Sequence, residues 1–120
     1  LYSEANTQNI LEKNILIINT IGILSNIYQY GDISYIGGGF EKGIHNILEA
    51  ITFGLPVVFG PKYHKSNEAK EYINKKGAIT ISNYSGLISA FKYFENFDNS
   101  IAHKFIKQNT GATKKIINLL

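Results

Sequence analysis

The sequence predicts an α/β protein in which a parallel sheet is covered by helices on both faces. Two observations carry this prediction. Short runs rich in apolar and β-branched residues recur at 15–18, 33–36, 56–59 and 78–81. Between them lie stretches with apolar residues at helical spacing, joined by short connections marked by glycine, proline and asparagine. Strand, helix, strand, helix in that rhythm is the pattern of crossover units, in which successive strands run parallel.

Taken in order, Ile15 to Ile18 is a candidate buried strand, and Ile23, Leu24, Ile27 and Tyr28 follow at helical spacing. Ile33 to Ile36 is the next strand, ended by Gly37-Gly38-Gly39. A helix is expected over about 44–53, with Ile44, Ile47, Leu48 and Ile51 on one face and Gly54 as its C′ residue. Pro56 to Phe59 is a third strand, closed by Gly60-Pro61. Ser66 is placed to cap a charged helix running through Lys76, with Gly77 as terminator. Ala78 to Ile81 is the fourth strand, and Asn83 or Ser85 opens a helix carrying Leu87, Ile88, Phe91 and Phe94. The tail from about Asn99 to Leu120 reads as helical, with a break expected at Thr110-Gly111.

A length of 120 residues supports one domain with a real core, here residues 1–120. The chain begins at Leu1, contains no methionine, and shows neither a signal peptide nor an apolar run of the roughly 20 residues that span a bilayer. It reads as a piece of a longer protein. The net charge is +3, and every basic residue is lysine. That balance fits attraction to phosphate, nucleic acid or an anionic membrane, and equally a coding bias that also enriches Asn and Ile. Aromatic residues do not interleave with lysines in one basic patch, so nucleic acid is not an expected partner. The absence of cysteine excludes disulfides, thiolate metal sites and cysteine nucleophiles, and fits a cytoplasmic domain.

Parallel sheets bind ligands beyond the carboxyl ends of their strands. Three segments leave strands in that direction: 19–22, 37–43 and 60–64. The middle one is the most informative, because Gly37, Gly38 and Gly39 let the backbone turn tightly and approach a ligand closely. Gly43 is expected at the entrance of a helix, whose unpaired amides favour an anion. The loop is neither a Walker A motif nor a dinucleotide fingerprint, and a tight turn without a ligand is an equally open reading. His45, Asn46 and Glu49 are expected in the first two turns of that helix. A carboxylate there can accept two hydrogen bonds from ribose hydroxyls while phosphate sits at the helix N-terminus. Against this, Glu49 can be a solvated carboxylate, His45 a cap, Asn46 a backbone partner and Lys42 an exposed loop lysine. No metal site is expected, since His45, His64 and His103 are scattered, and no serine occupies a G-x-S-x-G elbow.

Gly-Asp-Ile-Ser-Tyr-Ile-Gly-Gly-Gly-Phe (31–40), Gly-Ile-His-Asn-Ile-Leu-Glu-Ala (43–50) and Phe-Gly-Leu-Pro-Val-Val-Phe-Gly-Pro (53–61) resemble the donor half of 3-deoxy-D-manno-octulosonic acid (Kdo) transferases. Thr20-Ile21-Gly22 ahead of Leu24 and Tyr28, and Asn109-Thr110-Gly111-Ala112-Thr113, are similar to that family's loop and C-terminal helix. The resemblance implies a Rossmann-like sheet forming the C-terminal half of a two-domain GT-B glycosyltransferase. It implies a CMP-Kdo donor, no cofactor, and a lipid A precursor as acceptor in lipopolysaccharide biosynthesis. The catalytic base would come from an N-terminal domain outside this chain, leaving no catalytic residue here. Thr20, Ile21, Gly22, Gly38, Gly39, His45, Asn46 and Glu49 fall where the family lines its donor site. The full-length protein would then work at the cytoplasmic face of the inner membrane, against the membrane surface. Departures exist: Asn19 and Ile23 replace acidic residues, Ser66 replaces an aromatic one, and no arginine is present. Other readings are a UDP-sugar transferase or epimerase of similar architecture, or a non-catalytic nucleotide- or phosphate-binding module.

Overall fold

The computed structural model describes residues 1–20 and 22–119, with Thr7, Ile10, Ser25 and 110–119 described by their backbone alone. A 3-10 turn at Tyr2–Glu4 and a single helical turn, α1 (Thr7–Ile10), precede the first predicted strand. Then come α2 (Leu24–Tyr28), β1 (Ser34–Tyr35), α3 (Leu48–Thr52), β2 (Val57–Phe59), α4 (Asn67–Asn74), β3 (Ala78–Thr80), α5 (Tyr84–Tyr93) and α6 (Ser100–Leu119).

The strands form one parallel sheet in the order β1-β2-β3, with Ser34 beside Val57 and Phe59 beside Thr80. Strand β2 is wholly buried, and its residues divide the core. Val57 and Phe59 face Ile51, Ala69, Tyr72, Ala102 and Phe105, on the side of α3, α4 and α6. Val58 faces Ala90 and Phe94 of α5 on the other side. The two crossover helices thus share one face, as a 1-2-3 strand order with connections of one hand requires. Both faces are covered, as the α/β reading predicts.

Local signals explain most boundaries. Asn83 accepts the Gly86 amide at 2.8 Å and Ser66 the Ala69 amide at 3.2 Å, so both act as N-caps. Gly54, with φ +84°, ends α3 in the left-handed conformation. On α4 the left-handed residue is Lys76 (φ 65°), not the expected Gly77. Gly77 is needed for a different reason: a Cβ there would lie 2.2 Å from Cε1 of Tyr72. The Tyr72 ring occupies that space, packs at a tilt against Phe105 and donates its hydroxyl to the Leu55 carbonyl at 2.9 Å.

Three expectations are corrected. Ile15 to Ile18 is not a strand: Ile15 is 80% exposed, and the segment meets Tyr2, whose amide donates to the Ile17 carbonyl. A β-branched run becomes a strand only where a neighbouring ladder pairs with it, and β1 pairs only with β2 among the described residues. The helix expected from residue 44 starts instead at Leu48. Gly38 and Ile44 form a bridge, His45 donates its amide to the Gly37 carbonyl at 3.0 Å, and Asn46 Oδ1 accepts the Leu48 amide at 2.9 Å. These bonds hold 43–46 outside the helix, so Gly43 is a loop residue rather than a helix entrance. Finally, the backbone of α6 runs through Thr110-Gly111 without a break; the side chains of that motif lie outside the described residues, as does Ile21.

Candidate functional site

A cavity of about 580 Å³ lies beside the edge strand β1, between α2 and α3. One wall is Leu24 and Tyr28 from α2, and its floor is the strand from Ser34 to Gly37. The other wall brings together His45, Asn46 and Glu49. The first two reach it from the loop and Glu49 from the first turn of α3, so the three meet although they do not share two helical turns.

Each polar group has a reason to stand where it does. Ser34 is 6% exposed, the one buried polar residue in the described core. The Tyr28 hydroxyl is pushed above its ordinary value by burial first and by the Glu49 charge second, opposed by a hydrogen bond with Ser34. Asn46 is fixed by its bond from the Leu48 amide. The His45 ring lies against Gly37, where a Cβ would stand 3.4 Å from its Cδ2. An exposed carboxylate, an imidazole, an amide and two hydroxyls facing one concavity can exchange hydrogen bonds with a polyhydroxylated ligand.

The glycines behave differently from one another. Gly37 lines the cavity, whereas Gly38 and Gly39 do not. Gly38 and Gly39 have φ of +83° and +87°. A Cβ on Gly38 would meet the Gly43 carbonyl oxygen at 2.5 Å, and one on Gly39 would meet Gly60 Cα and Ile44 Cγ2 at 2.9 Å. Their close approach is therefore to the protein itself: Gly38 closes the loop after β1 on its own residues 43 and 44, and Gly39 locks that loop onto the loop after β2. Thr20 and Gly22 are exposed and lie outside the cavity lining, although Leu24 of the same segment reaches it. Tyr28 and Ser34 were not among the residues singled out from sequence. Ser34 carried a signal nonetheless, as a polar residue inside an apolar strand run. Among the described residues no three His, Asp or Glu side chains gather to hold a metal, and no helix is long and apolar enough to cross a membrane.

The fold is that of the C-terminal domain of a GT-B glycosyltransferase. It matches the crystal structure of the C-terminal CMP-Kdo binding domain of WaaA from Acinetobacter baumannii with a TM-score of 0.63 and 22% identity, over 74% of this chain and 51% of that one. The sequence narrows the relationship to the Kdo transferases. It is 38% identical over 81 residues to the 3-deoxy-D-manno-octulosonic acid transferase of Aquifex aeolicus, covering 66% of this chain and 23% of that protein. It is 31% identical over 132 aligned positions to the enzyme of the same name from Rickettsia conorii, covering 100% of this chain and 28% of that protein. No protein-family model matches. The chain is thus related to Kdo transferases along most of its own length while spanning only about a quarter of theirs.

Proposed function

We propose that this chain is the donor-binding domain of a glycosyltransferase that moves Kdo from CMP-Kdo to a lipid A precursor. One observation carries the reading: His45, Asn46 and Glu49 converge with Tyr28 and Ser34 on a single cavity in a chain similar to Kdo transferases. In this reading Glu49 accepts the ribose hydroxyls, and Asn46 and His45 address the nucleotide phosphate or the sugar. Leu24 and Tyr28 close the site from α2, and Gly38 and Gly39 shape the turn that presents His45. No cofactor takes part. The base and the acceptor surface belong to a partner N-terminal domain, and the assembled enzyme acts at the cytoplasmic face of the inner membrane.

Calorimetric titration of the chain with CMP, UMP and UDP tests this. CMP should bind several-fold more tightly than either uridine nucleotide. Equal or tighter binding of UDP would move the chain to the UDP-sugar enzymes, and absence of any nucleotide binding would remove the donor reading altogether.

A further inference from the structure

Tyr28 and Glu49 face the same cavity from different elements, α2 and α3, and one residue sets the spacing between them. Phe53, the C-cap of α3, lies four positions after Glu49, so the two stand on one side of that helix. The Tyr28 ring rests on Phe53, with centroids 6.3 Å apart and planes at 28°. The distance from phenol to carboxylate is therefore carried by α3 itself. The hydroxyl end of Tyr28 is held by Ser34, which is buried on β1, the strand that floors the cavity.

The bond with Ser34 favours the ionised phenol, as a bond accepted by the phenolic oxygen does: Ser34 donates and Tyr28 accepts. The phenol's own proton remains to be given. Glu49 acts on it through charge, which keeps the proton in place, and among the described residues no side chain accepts it. Packing alone does not ask for this pair. A buried hydroxyl costs free energy unless it is bonded, and phenylalanine over alanine would fill nearly the same space without one. What the two hydroxyls add is a neutral donor of fixed position beside a carboxylate that can only accept. A vicinal diol needs both, since each hydroxyl has a proton to give and lone pairs to fill.

We propose that Tyr28 is a specificity-determining residue, the donor to one hydroxyl of a ribose diol whose protons Glu49 accepts, so that the cavity selects a ribonucleotide over its deoxy counterparts. The proposal rests on the nucleotide reading of this cavity and adds to it the residue that fills a lone pair of the diol. Ser34 and Phe53 are positioning residues, acting through Tyr28 at its hydroxyl and at its ring.

The test titrates CMP, 2′-deoxy-CMP and 3′-deoxy-CMP into the unaltered chain, Tyr28→Phe and the double variant Tyr28→Phe/Ser34→Ala, by calorimetry. Tyr28→Phe strands the buried Ser34 hydroxyl and should lower the melting temperature; the double variant removes both hydroxyls and should recover it. Both variants should bind CMP roughly 5- to 10-fold more weakly than the unaltered chain. Both should bind one of the two deoxynucleotides as the unaltered chain does, because that ligand lacks the hydroxyl Tyr28 serves. Which one it is identifies the hydroxyl. Equal weakening of all three ligands in the double variant would make Tyr28 a packing residue, and unchanged CMP affinity would leave it no contact with the ligand; either overturns the proposal. CMP binding without Tyr28-dependent discrimination refutes this proposal alone, whereas no CMP binding by the unaltered chain refutes the nucleotide reading and this proposal with it.

Discussion

Tyr28 on α2 and Glu49 on α3 share one cavity, and the Glu49 charge adds to burial in keeping the Tyr28 phenol protonated. The phenol's hydrogen bond is with Ser34, so the exposed Glu49 carboxylate keeps its lone pairs for a ligand. If ribose hydroxyls are the donors, each charge-assisted bond contributes about 1.5–3 kcal/mol. Glu49→Ala should then weaken CMP binding roughly 10- to 100-fold, and Glu49→Gln less, because it keeps one acceptor. Glu49 is exposed, so melting temperatures should stay unchanged. A lowered melting temperature with intact affinity per folded molecule would make Glu49 a structural residue.

Gly39→Val should act on folding rather than on ligand access. The added side chain meets Gly60 and Ile44 and forces a β-branched residue into a positive φ. Together these should destabilise by about 3 kcal/mol or more in urea denaturation. A fully stable Gly39→Val chain would show that the two loops are not locked as described.

Alkaline stability should depend on Tyr72. Burial pushes this phenol far above its ordinary value of 10.0, so the folded state holds the proton more tightly than the unfolded one. Its stabilisation is complete below pH 10 and is lost as the pH rises from there towards the folded value. Tyr72→Phe should cost about 1–3 kcal/mol near neutrality by stranding the Leu55 carbonyl. The same change should flatten the decline between pH 10 and 11.5, measured by urea unfolding at each pH. An unchanged slope would assign that decline to other groups.

The chain alone should transfer no sugar, since the proposed base and acceptor surface lie outside it. Incubation with CMP-Kdo and a lipid A precursor, followed by mass spectrometry, checks this. Any glycosylated product would place the base among these residues.

The sheet and its helices were largely legible because each depends on local pattern. Asn83, Ser66 and Gly54 marked ends by side-chain chemistry or conformational freedom alone. Where long-range contacts decide, the pattern misled. Ile15 to Ile18 has the composition of a strand but no ladder to join. The start of α3 is set by a bridge between Gly38 and Ile44 and by Asn46 taking an amide, neither visible in helical periodicity. Nothing nearby in sequence tells Lys76 from Gly77 as terminator; Tyr72, five positions back, needs the space. Glu49, His45 and Asn46 were identified by type and order, but Tyr28 joined them only once α2 was laid against α3.

Strand β2 has a consequence for how the chain opens. Its three residues are buried on both faces and bonded on both edges, so their amides exchange with solvent only when the flanking crossovers separate. Val58 and Phe59 should therefore retain deuterium protection longest. Breathing at the cavity, where β1 has a free edge among the described residues, can occur without them. Ligand entry and global unfolding are thereby assigned to different hydrogen-exchange classes within one small sheet.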